Sequence, residues 1–184
     1  GCLKAMDAIE ADPELRAIIL TGEGRGFCSG ANLTEPPPEG ADLGDTLERT
    51  YHPFLRRLRD SKRPIVTAMN GPAAGVGMSL ALMGDLVVAA RSAFFALGFT
   101  RLGLVPDGGA TWLLPRLIGL ARSRELALLG DQLPAEKALA WGLIHKAVDD
   151  ESVLDEALVL ALRLSLSDPA TLAALCAAAR TVVS

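Results

Sequence analysis

The chain has 184 residues, half of them hydrophobic, and a formal net charge of −4. That length and apolar content can bury one sizeable core, so one domain or at most two is expected, and the acidic balance argues against a nucleic-acid surface. No charge-free apolar run is long enough to cross a bilayer and no signal-peptide pattern opens the chain, so no membrane partner is expected. Cys2, Cys28 and Cys176 are odd in number and far apart, which disfavours a disulfide framework or a metal site and points to a reducing, cytoplasmic compartment.

In chain order, the opening LKAMDAIEAD at 3–12 reads as the tail of a helix. Strands are predicted near 16–21, 64–70, 86–90 and 144–148, where short apolar runs fit strands covered on both faces. Helices are predicted near 42–60, 75–84, 109–118, 121–129 and 135–141, which makes the alternating order of an α/β protein. EPPPEG at 35–40 is too rich in proline for either element and reads as a mobile loop. From residue 151 the pattern is all helical, with Ala- and Leu-rich segments at 152–165 and 170–182 that are too apolar to stand alone in water.

Two junctions between strand and loop carry the chemistry. NGPAAGVGMSLALMGD at 70–85 follows the apolar run 65–69 and reads as a tight turn on Gly71-Pro72, then a helix. Its first turn holds Gly75 and Gly77, small residues that let a ligand approach the backbone. The first N–H groups of a helix lack intrahelical partners and lie at the positive end of its dipole, so they can hold a ligand oxygen that gains negative charge. TGEGRGFCSGANL at 21–33 follows the apolar run 17–20, and its glycines let the chain turn a second N–H toward the same place.

These two segments, with GLVPDGGATWLLPRLIG at 103–119 and AWGLIHKAVDD at 140–150, resemble the crotonase family, also called the enoyl-CoA hydratase/isomerase superfamily, over most of residues 5–150. The resemblance implies an α/β fold, the crotonase-type ββα spiral, over 1–150, with the family's N-terminal strands missing from this sequence. It further implies a helical region over 151–184, also incomplete, that packs around a homotrimer, often paired into a hexamer. Helices folding back on the chain's own core are the other reading of that region. By the same resemblance the N–H groups of Ala31 and Val76 grip the oxygen of a coenzyme A thioester. Phe27, Ser29, Asn32, Leu33, Gly75 and Phe99 line the same acyl-CoA site. The thioester is the substrate, and no cofactor is implied.

Asp107, between Pro106 and two glycines, reads from the sequence alone either as an N-cap of the following helix or as a reacting acid. In hydratases of the superfamily two glutamates act on water and on the α-carbon. Their positions correspond here to Ser79 and Phe99, neither of which transfers a proton at neutral pH. In the 1,2-epoxyphenylacetyl-CoA isomerase branch the acid sits in V/I-P-D-x-G-G-T-W, which Val105 to Trp112 matches except for Ala110 ahead of Thr111. The resemblance therefore implies isomerisation by one base: Asp107 takes a proton beside the polarised carbonyl and returns it to another carbon. Phe99, Leu104 and Trp112 are candidates for desolvating it, with plain core packing as the alternative for the two aromatics.

Other readings stand beside this one. Ser79, Asp107 and His145 occur in the chain order of an α/β-hydrolase triad, although Ala81 replaces the last glycine of the nucleophile elbow and Ser79 falls inside the helix. Under the isomerase reading the Ser79 hydroxyl has no role. Loss of both glutamate positions, with Val76 where glycine is common, fits an acyl-CoA-binding homologue without catalysis. Cys28 has no identifiable base and reads as a small packed thiol. Tyr51 and His52 either line the acyl pocket or only face along their helix. Arg56, Arg57, Arg59, Lys62 and Arg63 meet CoA phosphates or solvent.

Overall fold

The computed structural model describes residues 1–32 and 42–181, so Leu33 and the loop 35–40 lie outside the described residues. Helix α1 (Cys2–Ala11) leads into β1 (Ile18–Thr21). Helices α2 (Leu43–Thr50) and α3 (His52–Arg59) follow, then β2 (Ile65–Met69), β3 (Ala73–Ala74), α4 (Val76–Ala81), β4 (Leu86–Ala90) and β5 (Phe94–Ala96). After a 3-10 turn at Gly98–Leu102 come α5 (Ala110–Leu129), β6 (Gln132–Pro134), α6 (Ala135–Trp141), β7 (Lys146–Val148), α7 (Val153–Ser165) and α8 (Pro169–Thr181).

Strands β1, β2, β4 and β7 form a parallel sheet in that spatial order, and β3, β5 and β6 form a second sheet. The chain runs strand, strand, helix twice in succession, β2–β3–α4 and β4–β5–α5, passing each time from the first sheet to the second. Every residue of β2 is buried, as a central strand of β-branched and small apolar residues requires. Strands β3, β5 and β6 were not predicted, because two or three residues are too few for any periodicity to show.

The helix predicted over 42–60 is two helices that meet at Tyr51 and His52. Pro53 lacks an N–H and its ring clashes with a preceding carbonyl, so it starts α3 rather than continuing α2. The helices predicted on either side of 119–120 join into α5 with a break at Gly119, at φ 78 and ψ 160. Helix α7 packs on β1, β2 and β4 and buries Val153, Ala157, Leu160 and Ala161. Its neighbouring stripe of Leu154, Leu158 and Leu162 stays 54, 47 and 57% exposed, so this helix both folds back on its own core and presents an apolar face outward. No single helix among the described residues is long and apolar enough to cross a membrane.

Candidate active site

Parallel pairing of Thr21 with Ala68 brings the C-terminal ends of β1 and β2 together, so the loops that follow them leave the same edge of the sheet. Asn70 stitches those loops to each other. Its Oδ1 accepts the Gly22 N–H at 3.1 Å and its Nδ2 donates to the Gly24 carbonyl at 3.0 Å. The Phe27 and Cys28 N–H groups donate to the Pro72 carbonyl at 3.1 and 3.2 Å, and the Ala74 N–H donates to the Cys28 carbonyl at 2.9 Å. The pairing places Ala31, three residues after Cys28, and Val76, two after Ala74, just beyond its end.

Gly75 caps α4 at φ 54 and ψ −128, a backbone conformation open to glycine, and leaves Val76 as the first helical residue. The Val76 N–H therefore points out of the helix without an intrahelical acceptor. Phe99 is 8% exposed, and its Cζ lies 3.7 Å from where a Cβ on Gly75 would stand. Ser29, Ala31 and Asn32 are exposed, whereas the Phe27 side chain packs into the core. Gly77 serves a purpose other than the one read from its size. It is buried against Cys28, so what its missing side chain admits is the neighbouring loop rather than a ligand.

Asp107 lies in the loop before α5, but the N-cap of α5 is Gly109, with no side-chain cap, so the capping role does not hold. The Asp107 main-chain carbonyl accepts the Ser79 hydroxyl and the Ala110 N–H, each at 3.0 Å. Its carboxyl Oδ1 is buried and has no hydrogen-bond partner among the described residues. Burial pushes the Asp107 carboxyl above the ordinary aspartate range, and the charge of His52 acts against that shift. His52 is held in turn by Glu48, whose Oε1 lies 2.8 Å from Nδ1. Arg56 and His52 together hold the Glu48 carboxyl down at about 2.

Several expectations change. Leu104 and Trp112 are each 39% exposed, so they are not the buried walls expected around Asp107, and Trp112 is not a core residue. The Arg116 guanidinium lies 4.1 Å from the Trp112 ring centroid instead. Ser79 is fully buried and gives its proton to a carbonyl, while His145 is exposed beside β7 at the sheet edge, so no hydrolase triad forms. The basic cluster is largely paired within the chain: Arg56 with Glu48, Arg57 with Asp7 and Glu10, Arg59 with Asp60, and Arg63 with the Leu15 and Asp12 carbonyls. Sequence reasoning missed the Ser79 contact, for which no local pattern exists. The Glu48–His52 pair was legible in its i, i+4 spacing.

Comparison with known proteins agrees with this architecture. A family model described as enoyl-CoA hydratase/isomerase matches residues 1–184. The chain is 51% identical over 168 residues to 1,2-epoxyphenylacetyl-CoA isomerase of Escherichia coli K12, covering 89% of this chain and 63% of that protein. It is 37% identical to carnitinyl-CoA dehydratase of Citrobacter koseri, again over 89% of this chain and 63% of the relative. The chain thus spans less than two thirds of these curated relatives. Among solved structures, an enoyl-CoA hydratase/isomerase from Cupriavidus metallidurans superposes with a TM-score of 0.88 at 33% identity, over 97% of this chain and 68% of that one.

Proposed function

The chain belongs to the enoyl-CoA hydratase/isomerase family, and from that premise we propose that it is part of an acyl-CoA isomerase in which Asp107 shuttles a proton beside a backbone oxyanion hole. The thioester oxygen is held by the Ala31 and Val76 N–H groups, which polarises the carbonyl and acidifies the hydrogens on the α- and γ-carbons. Ionised Asp107 removes one of them: the C–H bond breaks, its electron pair forms the enolate, and the negative charge collects on the held oxygen. The acid then returns the proton to a different carbon, so the double bond moves and no atom is gained or lost. A lost oxyanion donor costs about 3 kcal/mol of transition-state stabilisation in comparable enzymes, and a general base contributes about 10²- to 10⁴-fold in rate.

The observation that carries this reading is the Asp107 carboxyl itself, half-buried, with one oxygen that has no partner among the described residues and its main chain resting against α4. A structural aspartate satisfies its oxygens; a base keeps one for the substrate. Incubation with a panel of acyl-CoA thioesters in deuterated water, followed by mass spectrometry, tests it. Deuterium incorporation or a shifted double bond is the expected result. Addition of one water would identify a hydratase, and binding without exchange a non-catalytic homologue; either result overturns the reading.

The acyl group belongs to fatty-acid or aromatic-acid breakdown in the cytoplasm, with a homotrimer or hexamer built through the helices after residue 150. The exposed stripe Leu154, Leu158 and Leu162 supports that assembly. A sedimentation run that gives only monomer at micromolar concentration would overturn it.

A further inference from the structure

We infer that Ser79 is a positioning residue, which holds the Asp107 loop at a set distance from the first turn of α4; the inference rests on the reading of Asp107 as the base. Ser79 is fully buried, and its hydroxyl donates to the Asp107 main-chain carbonyl at 3.0 Å. Directly after Asp107, Gly108 adopts φ +59, and a Cβ there would stand 2.9 Å from the Ser79 Cβ and 3.2 Å from the Val76 Cγ2. The main chain at Asp107 and Gly108 is therefore pressed flat against a face of α4 made by Val76 and Ser79. Only a residue without a side chain permits that approach.

The consequence follows from what does not hold the carboxyl. Its Oδ1 has no hydrogen-bond partner among the described residues, and the backbone hydrogen bond to the carboxyl comes from Asp107 itself, so the carboxylate takes its place from the main chain that carries it. That main chain is tied at one carbonyl by two donors, and of these the Ala110 N–H belongs to α5 and the Ser79 hydroxyl to α4. Val76, whose N–H heads α4, stands three residues before Ser79 on the same helix. Through Ser79 the base and the helix-start N–H share one frame, and reaction rate is steeply sensitive to such spacing. Ser79 is not itself the base, because a neutral hydroxyl is too weakly basic to take a carbon-bound proton at neutral pH.

The test is α-proton exchange of phenylacetyl-CoA in deuterated water by the full chain, in the wild type, Ser79→Ala, Asp107→Asn and the double variant. Ser79→Ala is expected to lower kcat about 10-fold or more with KM within about twofold, because a misplaced base slows chemistry and leaves binding intact. On the Asp107→Asn background the same substitution is expected to change the residual rate by less than about twofold, since its effect passes through Asp107. Ser79→Cys, with a weaker donor of similar shape, is expected to fall between wild type and alanine, and it decides the question if the alanine variant does not fold. Wild-type kcat in Ser79→Ala or in this cysteine variant, while Asp107→Asn is inactive, overturns the inference alone. An equal loss on both backgrounds also overturns it, because Ser79 would then act on the helix rather than on the base. Wild-type exchange in Asp107→Asn, or none in the wild type, overturns the reading of Asp107 beneath it.

Discussion

Arg180, at the end of α8, donates from Nε to Asp85 Oδ1 at 2.9 Å across 95 residues of sequence, and Asp85 Oδ2 also accepts the Ile65 N–H at 2.8 Å. The same guanidinium reaches the carbonyls of Arg59, Ser61 and Arg63. One side chain therefore closes the last helix onto the starts of β2 and β4. The paired side chains are only 12 and 21% exposed, so the pair is largely withdrawn from water. Arg180→Ala leaves a desolvated carboxylate with only the Ile65 N–H and the weak Cys176 thiol as donors among the described residues and is expected to cost about 2–4 kcal/mol in urea unfolding. Amide hydrogen exchange over 169–181 should accelerate in step; unchanged exchange there would show that α8 is held by other contacts.

A Cβ placed on Gly77 would stand 2.3 Å from the Cys28 carbonyl oxygen, a backbone atom that cannot swing aside. Gly77→Ala must therefore push apart the two loops that shape the site. The expected loss is about 1–3 kcal/mol of stability by thermal unfolding, with acyl-CoA affinity falling as well. Retained stability and affinity would show that the loops part without consequence.

Asp107→Asn keeps the shape of the side chain and removes the proton acceptor. Exchange of α-protons should fall at least about 10²-fold with little change in acyl-CoA affinity. In the wild type the acid limb of kcat/KM should lie above the ordinary aspartate range, because burial raises the Asp107 carboxyl and kcat/KM reports the free enzyme. An acid limb at the ordinary value would mean that the reacting group is fully solvated.

The same raised value has a stability consequence of definite sign. A carboxyl whose folded pKa exceeds its unfolded pKa favours folding while protonated, and that contribution is lost as pH rises through the folded value. Ionised Asp107 therefore works against the fold at neutral pH, and Asp107→Asn should melt higher than wild type at about pH 7 while the two coincide near about pH 3. Alanine at 107 should not show the loss of about 1 kcal/mol expected on removing a helix cap, since the cap position is Gly109. A lower melting temperature for the asparagine variant at neutral pH would show that the ionised carboxylate is stabilised by a contact.

By itself the sequence determined the alternating α/β order, the strands β1, β2, β4 and β7 and most helix spans, because runs of apolar residues and breakers such as Pro and Gly act within a few residues of where they stand. It also marked the two glycine-bearing loops and the acid at 107, since each follows an apolar run or a proline whose local geometry is restricted. It did not show that Gly77 yields space to Cys28, that Gly109 rather than Asp107 caps α5, or that Trp112 faces outward under Arg116. Nor did it show Ser79 tied to Asp107 across 28 residues, or Arg180 to Asp85 across 95. Those are relations between segments distant in the chain, set by which strands pair and at what register, and no local propensity carries that information. Only the closed tertiary structure desolvates one Asp107 oxygen while giving it no partner among the described residues, and that is the physical condition under which an aspartate becomes available as a base.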